Sequence, residues 1–201
     1  LKRDRTPEEY RDILSNCNHA AGRMRSLVEA LLVLARQDGE PQGVARVKTN
    51  LADTAGETME MLKPLAAQHG ITVNAKLDPS FCVADPQALA MAAGNLLTNA
   101  ARHQASGGTA TIRTFSSGGR AILEVADTGP GIAPEHMPRL FDRFYRIDAA
   151  RGSDGGHAGL GLAIVKAIAE NHHGTIDVES KVGEGSVFRL NLPAADLSVR
   201  A

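Results

Sequence analysis

A change of hydrophobic period near residue 40 limits this chain more than any other feature. Before it, Ile13, Cys17, Ala20, Met24, Leu27, Leu31 and Leu34 recur at alternating intervals of four and three, with Leu14, Ala21, Val28 and Ala35 as a flanking row. A seam held over three heptads belongs to a helix that lends one face to a helical bundle. Thr6-Pro7-Glu8-Glu9 supplies its start: a hydroxyl at the cap, proline in the first turn and glutamate three residues after the cap. The seam ends at Asp38-Gly39-Glu40-Pro41-Gln42-Gly43, a run of turn residues. We therefore expect a long helix in residues 1–40, a linker over 41–50, a second unit over 51–195 and a short tail over 196–201.

In the second unit, short alternating strands and amphipathic helices follow one another. After a short extended piece, Ala45-Arg46-Val47-Lys48, a helix is expected from about Leu51 to Gly70, with Pro64 kinking it and Gly70 closing it. Residues 71–75 and 81–84 read as strands, and Asp85-Pro86 opens the next helix by cap and first-turn proline. Leu89, Ala92, Ala93, Leu96, Leu97 and Ala100 form its apolar stripe, which leaves Asn95, Asn99 and Arg102 on another face. Strands at 109–115 and 121–126 join through Ser116-Ser117-Gly118-Gly119 as a hairpin. Residues 133–158 are polar and broken by glycines, a lid or a long loop, with one short helix near Pro134 to Phe141. A helix over 161–172 and strands over 175–180 and 186–192 complete the unit.

Bulk properties remove several function classes. With 201 residues, 43% of them hydrophobic, the chain can bury one good core and a small second unit. A net charge of -1 with acids and bases interspersed gives no footprint for nucleic acid, and two Tyr, five Phe and no Trp make no stacking platform. No apolar run reaches the length of a membrane span. The start, Leu1-Lys2-Arg3-Asp4, reads as a piece of a longer protein. Cys17 and Cys82 lie far apart in segments of different type, which argues for free thiols and a reducing compartment.

The chemistry gathers at Asp127-Thr128-Gly129-Pro130-Gly131-Ile132, where a carboxylate ends an apolar strand and two glycines follow. Asp127 can accept a hydrogen bond from an exocyclic amine, while Gly129 and Gly131 would let a flat ring lie against the chain. The same residues also suit an ordinary turn. Asn95 and Asn99 can offer oxygens to a magnesium ion that shares its shell with phosphates, or can be solvated amides. Gly159-Leu160-Gly161 precedes an apolar helix, so its amides suit phosphate or its glycines serve packing. The phosphate-binding G-x-x-x-x-G-K-[ST] loop is absent, no strand leads into Gly159 as a dinucleotide fingerprint requires, and H-R-D and D-F-G are missing.

Taken in order, four segments resemble the boxes of bacterial sensor histidine kinases: Asn95 to His103 the N box, Asp127 to Ile132 the G1 box, Phe141 to Phe144 the F box, and Gly159 to Val165 the G2 box. Residues 1–40 are similar to the second helix of the family's dimerisation and phosphotransfer hairpin. The resemblance implies an α+β fold, a two-layer α/β sandwich of the Bergerat type shared with gyrase-type ATPases, behind a helix of a dimeric bundle. It implies ATP and magnesium as cofactors: Asp127 on the adenine amine, Gly129 and Gly131 beneath the ring, Ser186 near it, Asn99 on the metal and Asn95 beside it. Arg102 and His103 would lie near the phosphates, Gly159, Leu160 and Gly161 would present amides to them, Ile132 ends the G1 box, and Leu162 lies within the G2 box. Phe141 and Phe144 would anchor the lid.

In the family the γ-phosphoryl group passes to a histidine and then to an aspartate of a response-regulator receiver domain, and the parent is a homodimer at the inner membrane, with this portion in the cytoplasm. The family's H-E-L-R-T-P type box has no counterpart here; Arg5-Thr6-Pro7 mimics only its end. With Cys17 at a and Ala20 at d, His19 falls at c, on the outer face, so the phosphoacceptor is absent from this chain. The alternatives are a gyrase-like or chaperone-like ATP hydrolase, which needs a water-activating acid where Asn95 stands, and a nucleotide-gated interaction module without transfer activity.

Overall fold

The computed structural model describes residues 5–35, 46–147 and 159–195, except the side chains of Asn18, His19, Arg23 and residues 25–35. The expected outer position of His19 thus lies outside the described side chains.

The first helix, α1 (Pro7–Ala35), starts as its sequence dictates. Glu9 donates its main-chain N–H to Thr6 Oγ1 at 3.2 Å, and the Glu9 carboxylate accepts the Thr6 N–H at 2.8 Å, a reciprocal capping box. Where its seam is described, Cys17 and Met24 are exposed, Met24 at 67%, Ile13 and Ala20 are half-buried, and Leu14 in the flanking row is 67% exposed.

Next comes β1 (Val47–Asn50), inside the stretch expected as linker. It pairs antiparallel with β3 (Phe81–Ala84), so these four residues are built into the sheet-and-helix unit. Asn50 ends β1 and caps α2 (Leu51–Gln68), its side-chain oxygen accepting from Ala52 N–H at 3.2 Å. The helix runs on through Pro64, and Gly70 at φ +66° closes it, with Ile71 N–H reaching Ala66 O and Gly70 N–H reaching Ala67 O.

Five strands form the main sheet: β2 (Thr72–Leu77), β4 (Thr109–Ser117), β5 (Arg120–Asp127), β6 (Thr175–Lys181) and β7 (Gly185–Pro193). Their order is β2-β4-β5-β7-β6, with only the β2–β4 pair parallel. The β4–β5 hairpin is tighter than expected, since each strand extends until only Gly118-Gly119 remains as the turn. Such a short turn suits the twist of the flanking strands.

Three helices cover one face: α2 over β2 and β4, α3 (Pro86–Arg102) over β4 and β5, α4 (Gly161–Asn171) over β6 and β7. Between the layers lie Leu51, Leu89, Leu96, Ile112, Leu123, Val165, Phe188 and Leu190, each at most 2% exposed. Fully burying such a side chain contributes about 1.5–3 kcal/mol, so the interface between sheet and helices dominates the stability. On the other face Glu124 meets Arg113 at 3.2 Å and Arg189 at 2.7 Å, and Arg189 also reaches Glu179 at 2.7 Å. This charged row keeps the second face polar.

Candidate functional site

Asp127 is the last residue of β5, where the strand leaves the core and its side chain is half-buried. Its carboxylate accepts from the Gly129 N–H at 2.8 Å and from the main-chain N–H of Ser186, its partner in the β5–β7 register. Burial raises its pKa above the usual carboxylate range, opposed by those two hydrogen bonds and by the nearby charge of His103. The result is an acceptor fixed in direction at the mouth of the sheet.

The glycines after it answer to the chain itself. Gly131 has φ +70°, and a Cβ there would stand 2.1 Å from the Lys181 carbonyl oxygen, so only glycine lets this loop cross the end of β6. Of the two reasons the sequence offers for glycine at 129 and 131, a turn and a flat ligand, the structure supplies the first in neighbouring backbone and side-chain atoms, with Asp127 Oδ1 at 2.8 Å from a Cβ at 129. Ile132, buried, donates its N–H to Ser180 Oγ at 2.8 Å.

On α3, Asn95, Asn99 and Arg102 share a half-buried face, while the apolar stripe from Leu89 to Ala100 is sealed in the core. Asn95 spends its amide N–H on Met91 O at 3.0 Å, which leaves its side-chain oxygen turned to the start of α4. A methyl group on Gly161 would stand 3.0 Å from that oxygen. Burial lowers the pKa of Arg102, and His103, the C-cap, is exposed. Leu160 caps α4 without a side-chain hydrogen bond, so the first-turn N–H groups of α4 have no capping side chain. Leu160 is buried and Leu162 half-buried. The amide face of α3 therefore packs closely against the positive end of α4.

At the F-box segment the two phenylalanines differ. Phe141 is half-buried and packs on the core, but Phe144 is 64% exposed and sits at φ +65°. Its main chain makes a link across the segment, Phe144 N–H donating to Gly159 O at 2.9 Å. Gly159, at φ +67°, permits the approach, because a Cβ would stand 2.8 Å from the Phe144 carbonyl carbon.

Two connections escaped the sequence reading. Gln104 bonds Ala100 O at 2.8 Å and accepts from Thr128 Oγ1 at 2.9 Å, latching the end of α3 to the loop after Asp127. Ser180 Oγ meets Ile132 N, Gly185 O and Ser186 Oγ at 2.8, 2.8 and 3.0 Å. The only sequence signal for either is a small hydroxyl residue beside a glycine turn, which is common in surface loops. Among the described residues no group of three or more His, Cys, Asp or Glu is arranged to hold a metal ion.

Comparison with known proteins agrees with this geometry. Residues 84–196 match the family described as Histidine kinase-, DNA gyrase B-, and HSP90-like ATPase. The sensor histidine kinase CusS of Escherichia coli (strain K12) is 37% identical over 194 residues, 96% of this chain and 40% of that protein. The chain thus spans about two fifths of the length of such relatives. Among solved structures, a mycobacterial sensor histidine kinase, MprB, matches with TM-score 0.66 and 28% identity over 74% of this chain and 98% of that one. Full-length ShkA, solved in complex with AMPPNP, matches with TM-score 0.77 and 25% identity over 99% of this chain and 41% of that one. The chain belongs to the histidine kinase-, DNA gyrase B- and HSP90-like ATPases, and its sheet-and-helix unit is similar to the corresponding part of sensor histidine kinases.

Proposed function

We propose that ATP binds with its adenine on Asp127 and its phosphates between the amide face of α3 and the start of α4. The observation that carries this reading is the Asp127 carboxylate, held by Gly129 and Ser186 N–H groups and aimed out of the sheet end. Asn99 ligates magnesium through its side-chain oxygen with Asn95 beside it, and Arg102 and His103 lie toward the phosphates. Ile132 and Leu162 flank the pocket, and Gly159, Leu160 and Gly161 set the amides of α4. ATP supplies the phosphoryl group; the residues of this chain orient it and offset its charge, which is where most of the rate in phosphoryl transfer arises.

Within a longer parent, residues 1–40 are the second helix of a dimerising hairpin and 51–195, extended back to Val47 by β1, are the catalytic unit, with 196–201 a tail. The parent is a homodimer that passes the phosphoryl group to a histidine and then to a receiver-domain aspartate of a response regulator. The inner membrane holds that parent and this portion lies in the cytoplasm; no described helix is long and apolar enough to cross a membrane. A hydrolase that activates water needs an acid where Asn95 places an amide already bonded to Met91 O.

Calorimetric titration with ATP, with and without magnesium, tests the metal role. Asn99→Ala is expected to weaken binding about tenfold, ~1.4 kcal/mol, with magnesium present and much less without it. Equal losses under both conditions would remove Asn99 from the metal.

A further inference from the structure

Ser180 is a half-buried hydroxyl on β6 that meets three partners, and a hydroxyl has one proton and two lone pairs. Gly185 O can only accept, so the Ser180 proton goes there, at 2.8 Å. Ile132 N–H can only donate and fills one lone pair, also at 2.8 Å. The remaining contact, with Ser186 Oγ at 3.0 Å, is then a hydrogen bond only if Ser186 is the donor. Ser186 is 6% exposed and opposite Asp127 in the strand register, with its N–H already on that carboxylate. Its hydroxyl proton is therefore committed inward, and what it can offer beside Asp127 is lone pairs.

We propose that Ser180 is a positioning residue for base selection: by holding the Ser186 proton, it makes the rim beside Asp127 accept hydrogen bonds and never donate them, which favours adenine over guanine. This rests on the nucleotide reading above. Adenine presents an amine at its 6-position, and guanine presents a carbonyl oxygen. Against a carboxylate and a hydroxyl with its proton withdrawn, the amine finds acceptors directly, whereas the carbonyl faces like partners. A site that leaves a polar group unpaired rejects the wrong ligand more strongly than one that merely lacks a contact. Without the Ser180 hydroxyl, Ser186 can rotate and donate to the guanine oxygen.

Competition of ATP and GTP, each with magnesium, against a fluorescent adenine nucleotide gives the preference as a ratio. Ser180→Ala is expected to lower the ATP-over-GTP ratio by about three- to tenfold, the value of one hydrogen bond, while Ser180→Thr keeps it. In a Ser186→Ala background the Ser180 substitution should change the ratio no further. If Ser180→Ala weakens both nucleotides equally, the hydroxyl serves only to hold the loop and the proposal is overturned; a fall of the same size in the Ser186→Ala background overturns it too. Should Ser180→Ala fail to fold, Ser180→Cys, of similar size but a weak donor and acceptor, reads the same ratio. Asp127→Asn separates the two levels: an unchanged ratio in that variant removes Asp127 from the pocket, whatever Ser180 does.

Discussion

Helices α1 and α3 carry equally regular apolar stripes, yet they end in opposite surroundings. On α3, Leu89, Leu96 and Leu97 are at most 3% exposed, whereas on α1 Leu14 and Met24 are each 67% exposed. Both helices begin on a satisfied cap: Thr6 with Glu9, and Asp85 accepting from Gln87 N–H at 2.9 Å. The difference is therefore not in how well each is written as a helix. Period fixes that a face exists; what covers it is decided by segments far along the chain or on another one. For α3 the cover is β4, β5, α2 and α4 of the same unit. For the described part of α1 the seam waits for a partner, and the bundle reading makes that partner another hairpin helix.

Supplying that partner should produce the largest effect. Incubated with γ-labelled ATP, this chain is expected to gain no acid-labile, alkali-stable label, because no H box stands on its helix and a histidine outside the docking geometry gains little from proximity. A longer chain that carries the preceding hairpin helix should label at least about a thousandfold faster, since correct positioning alone is worth that much and more. Label on the short chain that vanishes in His19→Ala would reverse the assignment of α1.

Truncation of one leucine in each stripe sharpens the comparison. Leu96→Ala, in a fully packed site, should destabilise the catalytic unit by about 2–5 kcal/mol in urea unfolding. Leu14→Ala should change the same transition by less than about 0.5 kcal/mol, as exposed sites do. Its loss should appear instead in the dimerisation of the longer chain, followed by sedimentation. Equal costs in the isolated chain would mean that the α1 seam is already buried.

The same contrast explains what the sequence could tell. Strand Phe81–Ala84, the Asp85-Pro86 start and the α3 stripe were legible because cap chemistry, proline geometry and period are properties of consecutive residues. The mixed sheet under helices followed from the box order through the family resemblance. By contrast, β1 read only as an extended piece over 45–48 within the linker, since its pairing partner begins some thirty residues away and four residues carry little pattern of their own. The anchoring role of Phe144 came from the family resemblance alone, and no local pattern announces its left-handed backbone or its exposed ring. The proton arrangement around Ser180 joins strand β6, the β6–β7 turn and the loop after Asp127, so no local window contains it.

A pH-dependent effect lies where the two regions meet. α1 touches α4, Arg46 donates to Asn171 O at 2.5 Å, and His172 closes the end of α4. The His172 ring is 8% exposed, with Nδ1 at 2.8 Å from Ile168 O and Nε2 accepting the Asp85 N–H at 3.1 Å. A carbonyl cannot donate, so the proton sits on Nδ1 and the ring is neutral; protonation would put a donor against the Asp85 N–H. Burial lowers its pKa below 6.5 ahead of the other influences: the Ile168 bond and Asp85 raise it, Arg46 and His173 lower it. Below pH 6.5 the unfolded chain therefore takes up this proton before the folded one does. The stability His172 contributes is complete above that pH and declines as pH falls toward its folded pKa. His172→Ala should cost about 1–2 kcal/mol in urea unfolding at pH 7.5, the value of two buried hydrogen bonds, and measurably less at pH 5.5. A cost that stays level or grows between those pH values would mean that the ring is already charged in the folded protein.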